Sequence, residues 1–376
     1  MKDRVDGVCR YRQDTEIFRY KDIYNAKKEN NPMRGMEGYM KGVNLGGWLS
    51  QFDAPTKEHF DTFITEEDIR RIAGMGLDHV RVPVDYTVIE TEDGVPKEEG
   101  YQYIDRCVRW CRENGLHMII DMHKTFGYSF DPLDKDDKTI FFRDPVRQQR
   151  FYDMWERTAK RYSADLDIVA YELLNEIVMP EGKDLWNGIA LKAIEVIRRY
   201  APQTWIIFGG VFYNAVTAVP WLADTKDRRV AYTFHCYEPM IFTHQGAYWV
   251  DNMPEDFRIG YPRTLEDYRE QTKKLDENLG NTIFREDIRP IGKQFFEGLF
   301  QPALRVSKER DIPLYCGEYG VIDLADREDA VRWLSDIHDV FEEYAIGRAL
   351  WNYKEKDFGI AGEDARPYLQ AIADKL

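Results

Sequence analysis

Eight short apolar runs, each followed by an amphipathic stretch, restrict this chain to a parallel sheet with helical crossovers. The runs are Tyr39–Gly46, His79–Val84, Leu116–His123, Ile168–Asn175, Trp205–Gly210, Val230–Tyr237, Ile312–Gly317 and Arg348–Tyr353. Most are nearly continuously hydrophobic, as strands covered on both faces must be. The helical stretches are Glu66–Gly74, Ile104–Asn114, Val146–Tyr162, Leu185–Tyr200, a short piece near Asn214–Leu222, Phe295–Glu309 and Asp326–Tyr344, with Pro367–Leu376 closing the ring. This alternation predicts an α/β fold, a (β/α)8 TIM barrel, as a single domain. An open doubly wound sheet is the rival. It is disfavoured because no Gly-x-Gly-x-x-Gly follows the first strand, and the glycines of Gly42–Gly47 have the wrong spacing. Thr65 with Asp68 marks a capped helix start, and Gly115 a helix end.

A chain of 376 residues suits one barrel with insertions. Residues 1–37 read as an N-terminal extension packing on the barrel, and 38–376 as the catalytic domain. The net charge of -15 argues against nucleic-acid and anionic-membrane partners. No apolar segment follows Met1 as in a signal peptide, and no run of 18 apolar residues occurs. Five cysteines form no secreted-domain framework, so the expected location is cytoplasmic. Cys107 and Cys111, four apart on a helix, read as packing residues.

The chemistry sits where runs four and seven end. Glu176 and Glu318 each close a strand, and carboxylates at the C-terminal ends of barrel strands face the mouth where these barrels place their active sites. Two carboxylates at one pocket are the minimal machinery for cleaving a glycosidic bond. Arg81, His123, Asn175, His235, Tyr237 and Trp351 fall in or near the ends of other strands and join them as candidates. By strand alternation His235 and Tyr237 share a face, with Cys236 opposite. Glu172 has the parity of Glu176 and should lie deeper, paired with Arg81. Asp121 shares the face of His123, and a structural hydrogen bond between them is expected rather than a metal site. The seven histidines are scattered, and neither metal nor cofactor is expected. Long loops follow strand three (Lys124–Asp144) and strand six (Glu238 to about Arg289). The second carries Phe242, His244, Tyr248, Trp249, Phe257 and Tyr261, either packing on the barrel wall or forming a substrate-lining lid.

Taken in order, Lys41–Trp48, His79–Pro83, Asp121–His123, Leu174–Glu176, Phe234–Tyr237, Gly317–Gly320 and Leu350–Trp351 resemble glycoside hydrolase family five, the cellulase family. The resemblance implies a retaining barrel glycosidase with Glu176 as acid/base and Glu318 as nucleophile. It further implies that Arg81, His123, Asn175, His235, Tyr237 and Trp351 line the cleavage subsite. Trp48 and Trp249 are added as substrate-binding candidates, and the Phe242–Trp249 segment resembles a loop of endoglucanase members, which favours β-linked glucan or gluco-oligosaccharides. A mannan substrate, exo action, transglycosylation and a catalytically silent carbohydrate-binding barrel stay open, as does oligomeric state. Two departures stand out: Ile177 follows Glu176 where the family usually has Pro, and Lys124 follows His123 where several cellulases carry His or an aromatic.

Overall fold

The computed structural model describes residues 33–131, 134, 139–275 and 282–361. Most of the expected extension (1–37) and the expected closing helix at Pro367–Leu376 lie outside the described residues. Eight strands close into an all-parallel barrel in sequence order. They are β1 Lys41–Asn44, β2 His79–Asp85, β3 His117–Lys124, β4 Val169–Glu172, β5 Ile206–Phe208, β6 Val230–Cys236, β7 Leu314–Tyr319 and β8 Gly347–Leu350. Closure is made by Gly42 pairing with His79 on one side and Ala349 on the other.

Among the described residues seven longer helices accompany the strands: α1 Glu66–Gly74, α2 Glu98–Glu113, α3 Pro145–Arg161, α4 Lys183–Arg198, α5 Leu265–Leu275, α6 Lys293–Arg310 and α7 Arg327–Glu343. The start of α1 is as expected, with the Asp68 carboxylate accepting from the Thr65 N–H at 2.9 Å. Helix α2 starts six residues before the expected Ile104. Gly100 there packs directly against the Val88 backbone, leaving no room for a Cβ. Between β5 and β6 the expected helical piece is a 3₁₀ run, Val216–Trp221, interrupted by Pro220. Helix α5 lies inside the long loop after β6, where only loop was expected. Among the described residues no helix is long and apolar enough to cross a membrane.

The lower barrel interior is filled by Met36, Tyr39, Ile119, Ala170, Trp205, Ile207, Ala231, Tyr315 and Ala349. Arg34 ties the stretch before β1 to this end, donating to the carbonyls of Arg228 and Asp311 at 2.7 Å each. Two residues further along the strands the interior turns polar, with Arg81, Asp121, Glu172 and Thr233 all buried. Buried polar groups cost free energy unless they pair, and their pairing builds the site.

Candidate active site

Arg81 is the hub. Its Nε donates to Glu172 Oε2 at 2.7 Å and Nη2 to Glu172 Oε1 at 3.1 Å, the pairing expected for Glu172. Nη1 reaches Asn44 Oδ1 and Glu318 Oε1, both at 2.9 Å, and Nη2 also reaches Asn175 Oδ1 at 2.9 Å and Asp121 Oδ2 at 3.1 Å. One guanidinium therefore faces three carboxyls. Burial pushes Glu172 and Asp121 up to about 7 despite the Arg81 charge. Asp121 Oδ2 also lies 2.5 Å from His123 Nδ1, the hydrogen bond expected for this pair. Burial holds the His123 imidazole well below its ordinary value and so neutral.

Glu318 owes its position to a bulge. Thr233 pairs with Tyr315 and Phe234 with Cys316, but His235 pairs with Glu318, so Gly317 is an extra residue in β7. Without it, alternation from the inward Tyr315 would turn Glu318 outward. A side chain at Gly317 would stand 3.0 Å from Thr233 Oγ1 and 3.1 Å from His235 Nε2, which is why glycine fits this close approach. Glu318 Oε2 accepts from the Tyr237 hydroxyl at 3.1 Å. Burial raises the Glu318 carboxyl, and Arg81 works against that rise.

Glu176 lies beyond the last residue of β4. There the chain leaves strict alternation, and both Asn175 and Glu176 reach the mouth. Glu176 Oε1 is 2.8 Å from His235 Nδ1, and Glu318 Oε2 is 3.5 Å from the same nitrogen. One oxygen of each carboxylate and one His235 nitrogen lie within 4.8 Å of one another. Burial first, and then the Glu318 charge, push Glu176 well above the ordinary range, with Arg81 acting against them. Of the two carboxyls, Glu176 is the one raised further above its ordinary value.

A model of the Cellulase family (glycosyl hydrolase family 5) matches residues 36–357. The chain belongs to glycosyl hydrolase family 5. Endoglucanase C of Acetivibrio thermocellus is 41% identical over 349 residues, covering 91% of this chain and 98% of that protein. Cellodextrinase A of Ruminococcus flavefaciens is 40% identical over 311 residues, covering 83% and 84%. In fold the chain is similar to endoglucanase Cel5A of Thermotoga maritima, with a TM-score of 0.69 at 23% identity over 90% of this chain and 96% of that one. The cellulose synthase subunit Z of Clostridioides difficile gives 0.69 at 22% over 89% and 99%.

In this family 5 glycoside hydrolase, Arg81, His123, Asn175, Glu176, His235, Tyr237 and Glu318 meet at one mouth. The Trp351 ring lies parallel to His123, with centroids 6.0 Å apart and planes within 3°. Gly46 also lies close to the indole, and a Cβ there would sit 2.6 Å from it. Trp249 belongs to an aromatic group with His244 and Phe358, and Phe358 in turn packs against Tyr237 at 5.9 Å. In its loop Phe242 and Tyr261 are buried, as packing on the barrel wall requires, while Tyr248 is exposed. Trp48 is the correction. It is fully buried, its indole N–H donating to the Phe60 carbonyl at 2.9 Å, so it supports the loop after β1 and presents no face to a ligand.

Four contributors escaped the sequence reading. Asn44 accepts from Arg81, and Phe358 backs Tyr237. Asn214 directs Nδ2 to His235 Nε2 at 3.4 Å. The Tyr128 hydroxyl donates to the Glu176 carbonyl at 2.6 Å and accepts from the Val178 N–H at 2.9 Å, bracing the backbone where Ile177 replaces proline. Only Asn44 lay within a quoted motif; the others carry no spacing signal. Lys124, the second departure, bonds Asp134 at 2.8 Å and Asp131 at 3.3 Å. Glu176, His235 and Glu318 are also the trio among the described residues that could hold a metal ion.

Proposed function

We propose that this enzyme hydrolyses β-linked glucan or gluco-oligosaccharides with net retention, Glu318 acting as nucleophile and Glu176 as acid/base. The observation that carries this reading is the carboxylate pair. It is spaced under 5 Å in two unlike surroundings, one carboxyl bonded to Arg81 and Tyr237, the other bonded to His235 and raised by burial and a neighbouring negative charge. Retaining enzymes hold such pairs about 5–5.5 Å apart, too close for a water between them.

Glu318 attacks the anomeric carbon while Glu176 protonates the departing oxygen. The covalent ester that forms cancels the Glu318 charge. That charge is the chief influence after burial keeping the proton on Glu176, so its loss lowers the Glu176 pKa and readies it to deprotonate water. Tyr237, raised well above 10 by burial, stays protonated and keeps donating to Glu318. Trp351 supplies the floor for the sugar being cleaved, and Asn175 a hydrogen bond to it. The glucan assignment is supported by relatives named endoglucanase and cellodextrinase.

The test is a panel of β-1,4, β-1,3 and mixed-linkage gluco- and manno-oligosaccharides, read by NMR for the first-formed anomer, with Glu176→Gln and Glu318→Gln alongside. A β-anomer released first, lost in both variants, is expected. An α-anomer first, or activity in Glu318→Gln, sinks the mechanism. A preference for mannan removes the substrate assignment.

A further inference from the structure

Two histidines at the mouth are held alike, each between a carboxyl and an asparagine amide. His123 has Asp121 at Nδ1 and, 3.5 Å from Nε2, the Asn175 amide. Asn175 gives its Oδ1 to Arg81, which leaves its NH₂ end for His123, so that ring accepts at Nε2 and carries its proton on Nδ1. His235 has Glu176 at Nδ1 and the Asn214 amide at Nε2. Glu318 Oε2 stands 3.5 Å from the same Nδ1.

Burial holds the His235 imidazole well below its ordinary value and so neutral, with a single ring proton to place. The carboxyl oxygens beside Nδ1 draw that proton to them, and Nε2 is then a bare acceptor that needs a donor. Asn214 supplies it from an enforced position. It is buried after β5 with φ of 54°, a left-handed conformation that asparagine tolerates better than most residues. The turn is anchored beside Glu176, because the Tyr213 N–H donates to the Ile177 carbonyl at 3.0 Å, and Ala215 bridges to His235 in the manner of a strand. Gly209 packs on the amide, where a Cβ would stand 2.4 Å from Asn214 Oδ1.

We infer that Asn214 is a positioning residue for the acid step: by donating to His235 Nε2 it keeps the ring proton on Nδ1, where it is given to Glu176 Oε1 and leaves the acid proton on Oε2, free to reach the leaving oxygen. This rests on the reading of Glu176 as acid/base. In a protonated carboxyl the carbonyl oxygen accepts better than the hydroxyl oxygen, so an N–H aimed at Oε1 makes Oε1 the carbonyl end. With the ring proton on Nε2 instead, a bare Nδ1 would lie 2.8 Å from Glu176. It would accept the acid proton as a hydrogen bond and hold it away from the sugar.

Two variants test this. Asn214→Asp keeps the shape and the left-handed turn but can only accept, so it draws a proton onto Nε2; Asn214→Gly keeps the turn and removes the amide. Proton-coupled ¹⁵N spectra of histidine-labelled protein, with the His235 signals assigned by their loss in His235→Asn, should show Nδ1 protonated and Nε2 bare in the wild type, and Nε2 protonated in Asn214→Asp. For cellohexaose, kcat/KM should fall by about tenfold to a hundredfold in Asn214→Asp and by less in Asn214→Gly. For β-cellobiosyl fluoride, whose departure needs no proton, it should change less than about twofold. A role in packing alone gives the reverse order, since glycine leaves a cavity and aspartate does not. A proton on Nε2 in the wild type, a larger loss in Asn214→Gly than in Asn214→Asp, or equal losses on both substrates would each overturn the inference. If the wild type turns over neither substrate, the proposed function itself falls, and the histidine spectra still decide where the ring proton sits.

Discussion

Replacing Arg81 with lysine keeps the buried positive charge and removes the fork that distributes it. All five guanidinium N–H groups of Arg81 have buried acceptors within 3.1 Å, on Asn44, Asp121, Glu172, Asn175 and Glu318. Lysine offers three N–H donors from one point. That point lies near the present Cζ, short of Nη1, which bonds Glu318, and of Nη2, which bonds Asn175 and Asp121. At least two acceptors lose their donor, at about 1–3 kcal/mol each for a buried polar group left unpaired. The expected destabilisation is about 4 kcal/mol, a large share of the roughly 5–15 kcal/mol typical of a folded domain.

The catalytic consequence follows from which acceptor is abandoned. Glu318 loses a charge-assisted bond worth about 1.5–3 kcal/mol. At 1.36 kcal/mol per unit, its pKa rises by roughly 1–2 units. The acidic limb of the pH dependence of kcat/KM, where Glu318 must be ionised, should move upward by that amount. Denaturant unfolding and pH profiles on the same preparation, with near-UV circular dichroism to confirm a native fold, read both effects. An acidic limb that stays in place in folded Arg81→Lys would refute the claim that this guanidinium keeps Glu318 ionised.

Glu176→Gln should lose about 10²–10⁴ in turnover of oligosaccharides but far less with β-cellobiosyl fluoride, whose departure needs no proton; equal losses would remove Glu176 from the acid role. Asp121 holds its proton up to about 7 in the fold against an ordinary 3.8, so the folded chain binds that proton more tightly than the unfolded one. Its stabilising contribution is complete below the ordinary value and is lost as pH rises through about 7. Chemical denaturation should therefore give a shallower decline in stability between about pH 4 and 7 for Asp121→Asn than for the wild type, and an unchanged slope would contradict this. Trp48→Phe leaves the Phe60 carbonyl without its donor and should cost about 1–3 kcal/mol of stability with KM unchanged; a raised KM would return Trp48 to the binding surface. Activity should survive EDTA, and a loss restored by a divalent cation would mean that Glu176, His235 and Glu318 hold a metal.

The barrel was legible because parallel strands buried on both faces leave continuous apolar runs, and all eight were found. Legibility failed where tertiary contact overrode local pattern. The polar start of α2 carries no periodic apolar signal, and its Gly100 is set by the Val88 backbone rather than by helix propensity. Trp48 and Trp351 look alike in sequence, each an indole just past the end of a strand. Their fates part in the loops: the indole N–H of Trp48 is drawn to the Phe60 carbonyl, while Trp351 lies parallel to His123 and close to Gly46.

Alternation alone would have misplaced the nucleophile. With Tyr315 inward, period two puts Gly317 and Tyr319 inside and Glu318 between the barrel and its helices, where Tyr319 in fact bonds His338 of α7 at 2.9 Å. The extra residue at Gly317 exchanges these destinations, sending Tyr319 to the helical layer and Glu318 to Arg81. Glycine suits that place because His235 and Thr233 close on it, and His235 is the residue that touches Glu176. The single missing side chain at Gly317 thus lets one strand aim the nucleophile while the neighbouring strand comes close enough to hold the acid. The two glutamates could be recognised from their strand ends, but their approach to within 4.8 Å depends on a packing event that no spacing rule contains.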